Sequence, residues 1–138
     1  TTYVICGENG TGKTTLIEAI MGYNGRYCGD ILINGKKLLS DDIVYISADA
    51  YISMFYSNEA GKLSSGQKKF EQIKLFLATD KSVYIFDEPT NFIDSNKKCE
   101  ILDMISQLQK NNKLVIIVSH DPDFLKEENK TLKLVRMD

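Results

Sequence analysis

Short apolar runs recur along the chain, each bounded by glycine or polar residues. Tyr3–Cys6, Ile43–Ile46, Val83–Phe86 and Leu114–Ser119 are rich in β-branched residues and show no apolar–polar alternation. Runs of this kind are strands covered on both faces, as in a parallel sheet. Leu132–Val135 is a further candidate. Ile31–Ile33 is another, and the Asn34-Gly35 that follows predicts a tight turn into Lys36–Leu39.

Between these runs the period becomes helical. Lys13–Met21 sets Leu16, Ile17, Ile20 and Met21 on one face and meets a stop at Gly22. Gln67–Ala78 spaces Phe70, Ile73 and Leu77, with Leu75 and Phe76 between them, along a mostly apolar stripe. Ser95–Lys110 follows a capping-type Asp94 and carries Ile101, Leu102, Ile105 and Leu108 at helical intervals. Strands alternating with helices predict an α/β fold with a mainly parallel sheet flanked by helices. The stretch from Ala48 to Lys62 has no clean period, and the chain shows no internal repeat or low-complexity tract.

Composition narrows the class. The 138 residues are 43% hydrophobic, enough to bury the core of one domain over 1–138. Lys and Arg number 17 against 19 Asp and Glu, a net charge of −2. That balance argues against a surface that coats nucleic acid, and no direct nucleic-acid partner is expected. No apolar run approaches the ~18–20 residues that cross a bilayer. Nothing ahead of the first strand-like run reads as a signal peptide. Cys6, Cys28 and Cys99 are odd in number and scattered, which points away from a disulfide framework and toward a reducing cytosol.

The chemistry sits at strand ends. Gly7-Glu8-Asn9-Gly10-Thr11-Gly12-Lys13-Thr14 fits G-x-x-x-x-G-K-S/T, following a strand and opening a helix, as that pattern requires. Glycines allow backbone N–H groups to approach phosphate oxygens without a Cβ in the way, and the helix N-terminus adds partial positive charge. Lys13 supplies a mobile charge to the β- and γ-phosphates, and Thr14 a hydroxyl to Mg²⁺. Val83–Phe86 leads into Asp87-Glu88. Beside a phosphate loop, Asp87 is the candidate metal partner and Glu88 the candidate general base for an attacking water. His120, the sole histidine, ends the run Leu114–Ser119, at a sheet edge where ligands collect in α/β folds.

In order along the chain, these residues resemble the ATP-binding cassette (ABC) family of P-loop ATPases. Leu63-Ser64-Ser65-Gly66-Gln67 is similar to that family's LSGGQ signature. Asp87-Glu88-Pro89-Thr90-Asn91 resembles its extended acidic motif, Ile93-Asp94 its D-loop, and Val118-Ser119-His120-Asp121 its switch-histidine region. Gly29–Gly35 resembles the strand-turn segment common after the first helix.

The resemblance implies ATP and Mg²⁺ as ligands and a homodimer or pseudo-dimer that closes on two ATP molecules. Asn9, Gly10, Thr11, Gly12, Lys13, Thr14 and Thr15 would bind the nucleotide, and Thr14 and Asp87 the metal. Ser64, Ser65, Gly66 and Gln67 would reach the γ-phosphate of the partner copy. Glu88, His120 and Lys13 would be catalytic, and Asp94 would connect the two sites. The implied role is ATP hydrolysis powering transport through a separate membrane-spanning subunit, from the cytoplasmic face of the membrane. A soluble ABC-F type ribosome-associated ATPase is the alternative, since Asp87–Asn91 and Ser119–Leu125 also resemble that group. A chromosome-maintenance ATPase would need heptad arms, which are not visible.

The family pattern is also departed from. Ser65 replaces the first signature glycine, and Ser47-Ala48-Asp49 stands where a metal-touching glutamine belongs. Asp49–Lys62 is too short for the helical subdomain that docks a membrane partner, and the strands that precede the phosphate loop in a complete cassette are absent. The expectation is a cassette core with its helical subdomain and N-terminal β-subdomain largely missing, and a fragment or minimal cassette with impaired coupling is a further alternative to the transport role. Cys6 reads as a small buried core residue. Tyr51, Phe55 and Tyr56 read as ordinary aromatics, and Arg26 with lysines 36, 37, 68, 69, 97 and 98 as solvated surface.

Overall fold

The computed structural model describes residues 2–8, 11–22, 28–33, 35–37, 42–46, 71, 73–75, 77–91, 93–125 and 129–134. In chain order the elements are β1 (Thr2–Gly7), α1 (Lys13–Ile20), β2 (Leu32–Ile33), β3 (Lys36–Lys37), β4 (Ile43–Ile46), β5 (Val83–Asp87), α2 (Ser95–Lys110), β6 (Leu114–Val118), a 3₁₀ turn (Pro122–Phe124) and β7 (Lys130–Leu134). Residues 71, 73–75 and 77 are helical and Ala78 lies in a turn, so the described part of the Gln67–Ala78 prediction agrees with a helix.

One five-stranded sheet runs in the order β4-β5-β6-β1-β7, and every neighbouring pair is parallel. β2 and β3 form a small antiparallel pair, with Gly35 at φ 77° in the turn between them. The apolar runs mark strand positions to within a residue or two. The run Leu114–Ser119 forms a strand only as far as Val118, and the last strand begins at Lys130 rather than Leu132.

The sheet is covered on both sides, which is why its central strands carry no alternation. On one face Val4, Tyr84, Phe86, Val115 and Ile117 pack with Ile101, Ile105 and Leu108 of α2, and Ile73 joins them. On the other, Ile5, Val83, Ile85, Ile116 and Val118 pack with Ile17 of α1. Cys6 does not join either cluster. It is half-buried near the end of β1, where the strand runs out into the loop.

α1 and α2 each start where a cap allows. Gly12 precedes α1 in the left-handed region, with φ 96°. Asp94 caps α2 by accepting from the Lys97 N–H at 2.9 Å, and Lys110 in the last turn opposes the dipole's negative end. α2 therefore owes its placement to the apolar stripe beneath it. Ile101→Ala, at a fully buried position, should cost about 2–5 kcal/mol of stability. Asp103→Ala, exposed on the same helix, should stay within about 0.5 kcal/mol of the parent in chemical denaturation.

Candidate functional site

Three neighbouring strands deliver the site. Asp87 of β5 is in register with Val118 of β6, and Val118 with Ile5 of β1. The ladder continues past the strand ends: the Glu88 N–H donates to the Val118 carbonyl at 2.8 Å and the Ser119 N–H to the Ile5 carbonyl at 3.2 Å. The acidic pair, the His120 loop and the phosphate loop thus leave the same carboxyl edge on adjacent strands, spaced about 4.8 Å apart. Such edges, outside the carboxyl ends of parallel strands, are where α/β sheets bind ligands.

Side-chain alternation then aims the acid. Val83 and Ile85 face the α1 layer, and Asp87 shares their parity, so its carboxylate lies on the side where α1 begins. Tyr45, next strand over, packs on that same face and donates its hydroxyl to Asp87 Oδ2 at 2.9 Å. The sequence offered no signal for Tyr45, because its reach depends on the pairing of β4 with β5, which places it opposite Ile85.

The loop is shaped by short-range bonds. The Thr11 hydroxyl donates to the Glu8 carbonyl at 2.8 Å, and the Leu16 N–H to the Gly12 carbonyl at 2.9 Å. The Lys13 ammonium folds over the loop and donates to the carbonyls of Gly7 at 2.5 Å and Glu8 at 2.9 Å. Thr14 and Thr15 stand exposed on the first turn of α1. Asn9 and Gly10 lie outside the described residues, as do Ser64, Ser65, Gly66 and Gln67, the Ser47-Ala48-Asp49 stretch and Asp49–Lys62.

Glu88 has φ 49°, a left-handed conformation uncommon for a residue with a side chain. Its N–H bond to Val118 and the Asn91 N–H bond back to its carbonyl hold it there. This sharp turn ends the strand's alternation immediately after Asp87. His120 is exposed, directly after the buried Ser119. Asp94 is exposed at the cap of α2.

A second cluster sits behind His120. The Lys98 ammonium contacts the carboxylates of Asp121 at 2.7 Å and Asp123 at 2.8 Å. Asp121 Oδ2 also accepts from the Thr90 hydroxyl at 2.8 Å, and its Oδ1 from the Asp123 N–H at 3.0 Å. The expectation of a solvated Lys98 is therefore corrected: the side chain is 26% exposed and fixed between two acids. Burial pushes the Asp121 carboxyl up. The Lys98 ammonium, the Asp123 N–H and the Thr90 hydroxyl outweigh it and leave it below the usual carboxylate range. Bonds from Asp121 and then Asp123 raise Lys98, against a smaller opposing effect of burial.

A family model described as an AAA domain matches residues 2–137. The chain belongs to that family and is a member of the ATP-binding cassette (ABC) family. Among curated ABC relatives, the energy-coupling factor transporter ATP-binding protein EcfA1 of Mycoplasma mobile is 28% identical over 86% of this chain and 60% of its own length. A putative ABC transporter ATP-binding protein of Pyrococcus furiosus, PF0528, is 33% identical over 83% of this chain and 38% of its own. The chain thus spans less than two thirds of the length of either of these ABC proteins. Of solved ABC structures, CbiO1 from Clostridium perfringens, part of the ABC transporter complex CbiONQ, superposes with TM-score 0.68 at 25% identity, over 88% of this chain and 68% of that one. A bacterial Atm1-family exporter with ATP bound gives TM-score 0.80 at 19% identity, over 96% and 32%, a likeness of fold. The ABC fold expected from the sequence, a P-loop parallel sheet flanked by helices, is the fold of this chain.

The linkage of the cluster to pH follows from the shifts. A carboxyl whose folded pKa is depressed contributes stability above its unfolded pKa and loses it as pH falls through the folded value. A raised lysine contributes below its unfolded pKa and loses it as pH climbs through the folded one. The Asp121–Lys98 contribution should therefore be constant from about pH 5 to pH 9. It should vanish in Lys98→Met, where NMR should find the Asp121 carboxyl titrating higher than in the parent.

Proposed function

We propose that this chain binds ATP with Mg²⁺ and hydrolyses it, as the cassette core of an ABC transporter's ATP-binding subunit. The observation that carries the reading is the shared register of Ile5, Val118 and Asp87, which sets phosphate loop, histidine loop and acidic pair side by side at one sheet edge.

The residues suit those ligands. Thr14 and Asp87 offer hard oxygen donors on the same side of the sheet, and no group of three or more His, Cys, Asp or Glu side chains clusters as a metal cage among the described residues. That donor set matches Mg²⁺, which is commonly held by one or two carboxylates together with substrate phosphates and waters. When bound, the ion supplies charge neutralisation at the β- and γ-phosphates. Tyr45 keeps the Asp87 carboxylate oriented. Lys13, resting on the Gly7 and Glu8 carbonyls, exchanges those bonds for phosphate oxygens, and backbone N–H groups of the loop with Thr15 complete the cradle. Glu88 takes the proton of the attacking water, and His120 orients that water and the γ-phosphate.

The signature Ser64–Gln67 belongs, in this reading, against the nucleotide of a second copy, with Asp94 carrying contact between the two sites. The relatives' transporter names, and CbiO1's place in a transporter complex, support a membrane-spanning partner and a position at the cytoplasmic face of the membrane. No helix among the described residues is long and apolar enough to cross a membrane itself.

Four outcomes test this. Glu88→Gln should keep ATP binding, accumulate a nucleotide-bound dimer in size-exclusion chromatography and lose about 10²–10⁴ in turnover; wild-type turnover in that variant would remove Glu88 as general base. Lys13→Ala should weaken ATP roughly 10–150-fold by calorimetry, the equivalent of losing a charge-assisted bond of about 1.5–3 kcal/mol. Tyr45→Phe should raise the Mg²⁺ concentration for half-maximal ATP binding by about tenfold. Sedimentation with ribosomes rather than co-purification with a membrane protein would overturn the transport assignment and favour the ribosome-associated alternative.

A further inference from the structure

Lys98 joins three segments at the carboxyl edge of the sheet. Its ammonium grips Asp121 and Asp123 of the turn after β6, and Asp121 in turn holds the Thr90 hydroxyl of the turn after β5. Its own N–H donates to the Asp94 carbonyl at 2.9 Å, at the cap of α2. Each anchor stands beside a residue of the proposed reaction. Thr90 is two residues past Glu88, Asp121 is next to His120, and Lys98 sits one turn past Asp94.

The geometry points to Lys98 as a positioning residue: we propose that the Lys98–Asp121–Thr90 clamp sets the placement of His120 and ties it to the first turn of α2. This rests on the reading of His120 and Glu88 given above and deepens it. His120 is exposed, so its direction depends on the backbone that carries it. That backbone is pinned ahead of the histidine by the Ser119 N–H on Ile5. Behind it, the Asp121 N–H donates to the Ser119 hydroxyl at 3.0 Å and the Asp121 carboxylate is clamped. Without Lys98, two carboxylates that had faced one ammonium face each other, and the turn that carries the histidine loses its cation. A displacement of about 1 Å in a group that orients reactants is enough to cost up to about 10²-fold in rate. An ordinary surface ion pair has no such leverage, and its loss leaves turnover unchanged.

His120 is the sole histidine of the chain, so its imidazole gives one set of resonances to follow. In ¹⁵N-labelled protein without nucleotide, Lys98→Met should shift and broaden that set, and Thr90→Val should move it the same way by less. Lys98→Arg, which still donates to both carboxylates, should restore the parent spectrum. In steady-state hydrolysis, Lys98→Met should lower kcat about tenfold while KM for ATP stays within twofold, with Lys98→Arg near the parent. Unchanged His120 resonances in a folded Lys98→Met, or in Thr90→Val should the first variant fail to fold, would overturn the clamp. If the parent chain hydrolyses no ATP, the proposed reaction fails, and the spectra alone still decide whether Lys98 places His120.

Discussion

Everything at the proposed site depends on the parallel pairing of β5, β6 and β1. These strands are buried on both faces, so each unpaired N–H or C=O within them would carry a desolvation penalty with no water to relieve it. The ladder must therefore be complete, and completeness fixes register. Register in turn fixes which face Asp87 occupies. A slip of one residue would carry its carboxylate into the α2 layer and turn Tyr84 and Phe86 out against α1. The chemistry of the strand end is thus specified by the hydrophobic burial of the strand behind it.

The two turns that leave this edge break the regular geometry in different ways. Gly12 takes up φ 96° without steric cost, letting the chain pass from loop to helix while the loop backbone stays free of a Cβ. Glu88 adopts its left-handed turn with a full side chain, a conformation that costs on the order of 1 kcal/mol or more and persists because the bonds to Val118 and Asn91 over-determine it. Strain stored on an acid immediately after the aspartate proposed to hold the metal is the arrangement expected where position matters more than stability.

The sequence made the sheet legible because burial on both faces leaves unbroken apolar runs, and those runs name β1, β4, β5 and β6 almost residue for residue. α2 was legible from Asp94 and the Ile101–Leu108 stripe together. Ends were less so: Lys130 and Thr131 begin β7 by pairing with Tyr3 and Val4 of β1, although their side chains are polar and give no strand signal. The candidate chemistry was readable wherever a motif has fixed local spacing, as in Gly7–Thr14 and Asp87-Glu88. Tyr45 and Lys98 were not, for one shared reason. Their partners are 42 and 23 residues away in sequence, and the contact exists only once strands pair and a helix packs. A lysine among other polar residues at a helix start looks solvated until the turn it faces is known.

Lys98 also shows how a weak class of interaction can acquire consequence. A solvent-exposed ion pair contributes roughly 0–1 kcal/mol, largely cancelled by the entropy of holding a long side chain still. Here one ammonium serves two carboxylates, one of which is also held by a hydroxyl and a backbone N–H, so the ordering of the lysine is shared among several bonds. The carboxylates cannot remain close without it, because their mutual repulsion is what the lysine cancels. The clamp's contribution to global stability is accordingly modest, while its contribution to the shape of one turn is large. That separation is what suits it to hold a histidine in place on a sheet whose stability is already provided by the core.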